Sequence, residues 1–186
     1  MMTRRLTFTA ALACAAVLLG PSAASVAKVP TPAIAVVDVQ LILRDSTAAA
    51  GIRDQMEKHQ TSFQNEITQQ ENALRNADQD LAQKKAVLSA EAYQAQVQEF
   101  QKKVATLGEL VQKRKRQLDE AFGKAMKQVQ DALMDVVQQQ MKEAGANIVL
   151  PRTAVVEVSK EMDITQESLK RLNQKLPSVK VVVPAQ

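Results

Sequence analysis

Few side chains in this sequence are placed to do chemistry. His59 is the only histidine and Cys14 the only cysteine. A metal site needs several converging His, Cys or carboxylate ligands, and nothing beside His59 supplies them, so it reads as a solvated helix residue. A serine nucleophile would need a base, an orienting acid and a formed pocket, and no such grouping can be assembled. Gly123-Lys124 looks like the end of a phosphate-cradling loop, but Leu118 stands where that loop requires a glycine. No catalytic residue, metal, cofactor or small-molecule substrate is therefore expected. The densest polar motif is Lys113-Arg114-Lys115-Arg116. It reads as a solvated flank paired with acids on a facing helix, or as a contact for acidic peptide, anionic lipid headgroups or lipopolysaccharide.

The ends and the composition narrow the class. Met1 to Arg5 is a short basic stretch, Leu6 to Gly20 an uncharged apolar run, and small residues follow through Ala27. This pattern predicts a signal peptide over 1–27, cut after Ala27 or Ala24, with an uncleaved anchor as the competing reading. Cleavage removes Cys14, Arg4 and Arg5, so 24 basic against 20 acidic residues become 22 against 20. A net charge of about +2 and an exported destination argue against nucleic acid as a partner. Aromatics are 3% of the chain and Trp is absent, a thin supply for a globular core, so helical pairing is favoured.

The elements follow from periodicity. Ala33 to Val39 is a β-branched run and predicts a strand. Gln40 to Arg44 makes a helical turn or two, and Asp45, Ser46 and Thr47 offer caps for a long helix. Ile67, Leu74, Leu81 and Leu88 recur every seven residues, whereas the companion line Met56, Phe63, Gln70, Ala77, Lys84 loses its apolar character outward. At 1.5 Å per residue this outward helix is about 55–60 Å long. A turn is expected near 86–91, with Ser89 capping the return helix, although no Gly or Pro forces it and one continuous helix is the competing reading. On the return, Val97, Phe100, Val104, Leu107 and Val111 form a three-four ladder whose one polar rung is Arg114. It continues less strictly through Phe122, Met126, Val129, Leu133, Val137 and Met141 to a stop at Ala144-Gly145.

Residues 47–83 carry three basic and six acidic side chains, and 84–127 carry ten and five. Such a charge split favours an antiparallel hairpin over 47–141. Gly108 and Gly123 interrupt the return helix at about 1 kcal/mol each relative to Ala. They either soften it or allow close helix contact. Beyond the hairpin, Asn147 to Leu150 and Thr153 to Val158 read as two strands around Pro151-Arg152, and Thr165 to Leu176 as a short helix. Val179 to Val183 reads as a last strand or a flexible tail. The expected fold is α+β and predominantly α. Its β-rich body, 28–46 with 142–186, would be built on Ile34, Val36, Val37, Ile148, Val149, Leu150, Val155, Ile164 and Leu169. The arm seam would be Phe63, Ile67, Leu74 and Leu81 against the ladder Val97 to Val111.

Ile34-Ala35-Val36-Val37-Asp38-Val39-Gln40, Leu88-Ser89-x-Glu91, Ile148-Val149-Leu150 and Asp163-Ile164-Thr165 with Leu169 and Leu172-Asn173 occur in this order. Together they resemble the Skp/OmpH family of periplasmic chaperones over nearly the whole mature chain. Ser168 departs from the pattern where the family has an apolar residue, and Pro177 to Gln186 looks like an added tail. The resemblance implies a homotrimer, a periplasmic location, no use of ATP, and helical arms that enclose unfolded outer-membrane proteins. A structural coiled-coil adaptor and a membrane-surface binder acting through the basic arm are the alternatives.

Overall fold

Strand β1 (Ile34–Val37) is the first element among the described residues and stops earlier than the β-branched run suggests. Asp38 ends it by capping helix α1 (Val39–Asp45): Oδ1 accepts from the Leu41 amide at 2.9 Å. In this computed structural model the described residues are 30–184, so the expected leader over 1–27 lies outside them. Residues 32–186 form one compact unit.

Helix α2 (Thr47–Lys84) begins where Ser46, fully buried, accepts from the Ala49 amide through Oγ. Helix α3 (Ala90–Glu143) begins in the same way at Ser89, whose Oγ accepts from Ala92 at 3.2 Å, with Glu91 in the first turn. A side-chain oxygen on an otherwise orphaned amide is the usual N-terminal device, and the turn between the two helices spans 85–89. Gly145 ends α3 at φ 65°: its N–H reaches the Lys142 carbonyl and the Ala146 N–H reaches Met141, a paired closure that needs the left-handed backbone. The two helices run antiparallel. At about 1.5 Å per residue, α2 spans about 57 Å and α3 about 81 Å, so α3 continues past the start of α2 into the body.

The body is small. β2 (Ile148–Pro151) lies parallel to β1, with Ile34 opposite Ile148 and Val37 opposite Pro151. On the other side of β1, Val36 bridges to Asp163: its N–H donates to the Met162 carbonyl and its C=O accepts from Ile164. Helix α4 (Thr165–Lys175) closes the body, tied to β1 by the Asp38 amide donating to Thr165 Oγ1 at 2.9 Å. The expected second strand over Thr153–Val158 does not form. Arg152–Ala154 is a 3-10 turn, held by the Arg152 guanidinium on the Val155 carbonyl at 3.1 Å, and Val156 stands fully exposed. Pro151 has no N–H to continue a ladder.

The core sits where α1, α4 and the hairpin meet. Ile42, Ile52, Val129, Leu133 and Leu172 are wholly buried there. Along α3 the buried stripe is Ala121, Ala125, Val129, Leu133 and Val137. Phe122, on the less strict continuation of the ladder, is 41% exposed. Steps of four residues trace an inclined ridge around the helix, so the packing face rotates once α3 has several neighbours instead of one. Ala48 and Ala49, also buried, are small enough for close approach at the same level.

Candidate functional site

The arm carries a repeated apolar pattern, and the two helices bring it together along one seam. Near the body, Met56, Phe63 and Ile67 face Val111, Arg114 and Leu118 across an open cleft of about 380 Å³. Farther out, Leu74 and Ala77 face Lys103 and Leu107, and nearest the turn Leu81 faces Phe100. Leu81 is buried, while Phe63, Ile67, Leu74, Val97, Phe100, Leu107 and Val111 are half-buried and Val104 is 47% exposed. The seam thus joins the helices without being sealed.

A second cleft, about 410 Å³, opens at Gln70, Leu74, Ala77, Thr106, Leu107 and Leu110. Its cause is legible in α2. Gln70 and Ala77 occupy positions where a large apolar side chain would fill the space between the helices, and neither does so. The cleft wall is apolar at Leu74, Leu107 and Leu110 and carries one cation, Lys103. A glycine-dependent close contact does not cause it: a methyl group at Gly108 or Gly123 would meet nothing within 4 Å. That removes close helix contact as the reason for both glycines.

The basic run divides. Arg114 is turned into the arm, with its side chain 9% exposed. Its Nη2 donates to both Glu66 carboxylate oxygens at 3.1 and 3.0 Å, and Nη1 donates to Gln117 Oε1 at 3.3 Å. The guanidinium carbon lies 4.6 Å from the Phe63 ring centre, a cation–π contact. Nε is buried without a partner in the protein. Arg114 is thus withdrawn from the expected surface contact, because its ladder position sends it inward, and only Lys113, Lys115 and Arg116 are exposed. Arg114–Glu66 joins the two helices, whereas Lys84–Asp80, Lys102–Glu99, Lys124–Glu120 and Lys127–Asp131 each lie within one helix.

His59 is half-buried instead of fully solvated, its ring 6.4 Å from that of Phe63. Among the described residues no cluster of three His, Cys, Asp or Glu could hold a metal ion, and no helix is long and apolar enough to cross a membrane.

In the body, Val36 and Val37 are buried, Ile34, Val149, Leu150, Val155, Ile164 and Leu169 are half-buried, and Ile148 is exposed. Ser168 does not leave a packing defect. It is fully buried, and its hydroxyl donates to the buried Gln140 amide oxygen on α3, so one polar pair satisfies itself. Arg171 links α4 to α3 as well, reaching Glu167 at 2.8 Å and Glu143 at 2.6 Å. The arginine hydrogen bonds hold both carboxyls below the usual carboxylate range, with Gln139 adding to the effect on Glu143.

Residues 179–183, expected as a last strand or a flexible tail, form no strand and lie packed on the protein. Val179 and Val181 are buried in the main core against the arm root. Gln55 holds the backbone between them: Nε2 donates to the Val179 carbonyl at 2.8 Å and Oε1 accepts from the Val181 amide at 2.9 Å. The valine alternation was the available signal. Gln55, an unremarkable helix-surface type, gave none.

The fold and the seam define an α+β protein, mostly α, whose long helical hairpin stands on a small body and carries an open apolar seam. The profile of the family described as outer membrane protein (OmpH-like) matches residues 33–172, and the chain belongs to that family. An OmpH-like protein from Caulobacter crescentus CB15, solved as a candidate outer membrane chaperone, has the same fold: TM-score 0.77 at 19% identity, covering 86% of this chain and 94% of that one. No curated protein matches the sequence.

Proposed function

We propose that this protein is an ATP-independent holdase that keeps unfolded outer-membrane proteins from aggregating in the periplasm, as a homotrimer whose arms enclose the client. The observation that carries the reading is the unsealed seam. Half-buried apolar side chains and an apolar-walled cleft along a projecting arm offer many weak contacts without a fixed pocket. Many weak contacts retain a client collectively and leave it mobile. Outer-membrane strands alternate apolar and polar residues and present unpaired edges, so they need such shielding. Membership of the OmpH-like family and the likeness to a candidate chaperone support the same reading. Assembly is supported by Ile148, Val156 and Met162, apolar side chains left exposed on the small body at 39%, 102% and 37%.

The test is aggregation of several unrelated unfolded barrel proteins, followed by light scattering without nucleotide. Suppression at near-stoichiometric amounts is expected for all of them. A protein that protects none, or only one fixed partner, is an adaptor instead. Native mass spectrometry with and without client reads the stoichiometry. Lys113, Lys115 and Arg116 provide an exposed cationic face for acidic client segments, anionic lipid or lipopolysaccharide. Replacing all three by Gln lowers client capture at low salt and lessens its salt dependence. Unchanged capture would reduce the cluster to a solvated flank.

A further inference from the structure

The segment after α4 is bound to the arm in a manner that the rest of the chain does not share. Val179 and Val181 are 5% and 4% exposed, Lys180 between them is exposed, and Val182 is 67% exposed. That is the alternation of an extended chain lying with one face on a surface. The surface is helical and cannot offer a strand edge, yet Gln55 supplies the equivalent. Its one side-chain amide takes the carbonyl of residue 179 and the amide of residue 181, as a neighbouring strand would across residue 180. The same Nε2 also donates to the Gly51 carbonyl at 3.0 Å, which anchors the side chain to its own helix. Farther along, Gln117 Nε2 lies 3.5 Å from the Pro184 carbonyl, so the segment runs outward along both arm helices. Main-chain hydrogen bonds with alternate side chains in apolar pockets are the means by which proteins hold extended peptides.

We infer that the arm root carries a groove for an extended peptide with apolar residues at two alternate positions, that residues 177–184 fill it in cis, and that the filled groove locks the root so that bending begins beyond Phe63 and Arg114. The cis occupant is favoured because only Leu176 to Ser178 separate the first buried valine, Val179, from α4. A short tether gives an effective concentration in the millimolar range. The segment closes the core over Ile52, Ala121 and Ala125, which are buried in the same cluster. Among the described residues no third element packs on the arm outward of Gln117, and the cleft at Gln70, Leu74 and Leu107 opens there. The inference does not depend on chaperone activity, because both the groove and its occupant belong to this chain.

Hydrogen exchange on the trimer or monomer, whichever form the protein takes, tests it. In a variant ending at Leu176, amides of 48–56 and 118–133 exchange about tenfold faster or more, while those of 66–81 and 97–111 keep their rates. A synthetic peptide of residues 176–186 binds this variant saturably and restores root protection. The same peptide carrying Val179→Lys and Val181→Lys does neither. Full-length Gln55→Ala shows a smaller acceleration in the same two segments, and it decides alone if truncation removes the helical circular dichroism. Unchanged root exchange in the variants, acceleration spread evenly along the arm, or equal binding of both peptides overturns the inference.

Discussion

The arm root and the distal arm are built from the same two helices and reach different ends. At the root Ile52, Val129 and Leu133 are wholly buried, because α1, α4 and residues 177–184 complete the shell around the hairpin. Among the described residues the two helices have only each other beyond Phe63, and every seam residue except Leu81 retains a wet side. A pair of helices can desolvate one line of contact, and a third neighbour is needed to dry the flanks. Openness here thus has two sources: the distal helices lack the neighbours that seal the root, and Gln70 and Ala77 leave space that a large apolar side chain would fill.

The sharpest way to break this contrast is to cut equivalent side chains. Leu133→Ala at the root should cost about 2–5 kcal/mol. Leu74→Ala in the distal cleft should cost less than half as much, since cavity and transfer penalties scale with burial. Equal losses in urea unfolding would abolish the distinction. Next comes the boundary between them. Glu66→Ala leaves the buried Arg114 guanidinium without its acid and should cost about 1–3 kcal/mol. Replacing both residues by Met should recover most of it. A double variant as unstable as the single one would mean that the orphaned guanidinium charge is not what the Glu66→Ala loss reports.

Smaller effects sharpen the picture. Gly108→Ala has free space around the new methyl and should gain up to about 1 kcal/mol of helix stability. Slower exchange should then be confined to the distal return helix, and rates that do not change would remove Gly108 as a softening point. The smallest effect is one of pH. Glu143 and Glu167 are held below the ordinary carboxylate range by Arg171. Their contribution is complete above the unfolded glutamate pKa and is lost as pH falls through the lower folded values. Acid below the unfolded glutamate pKa should therefore loosen the α3–α4 junction before it affects the distal arm, and Arg171→Gln should flatten that response. Acid loosening that starts in the distal arm would contradict this order.

Local signals made much of the fold readable. Ser46 and Ser89 cap the helices and Gly145 ends one because such devices act within a few residues of their own position. The seven-residue repeat likewise fixed the register of the arm. For Arg114 two signals conflicted: its charged neighbours suggested surface, its ladder position suggested interior, and the ladder prevailed. What stayed hidden depends on distant partners. Thr153–Val158 has strand-forming residues, but among the described residues no strand pairs with it. Ser168 is satisfied by Gln140, 28 residues away, and Val181 by Gln55, 126 away. No short-range pattern reports such pairings.

One further consequence lies in the register of β1 and β2. Two parallel neighbours cannot be joined by a tight turn; they need a crossover, and here the whole hairpin serves as one, leaving after Val37 and returning at Ile148. The ends of that detour are pinned, whereas its far point is not. Matched seven-residue blocks removed from both helices would preserve the seam phase and leave the strands facing as before. Reach is thus an adjustable dimension of this architecture, set independently of the foundation it stands on.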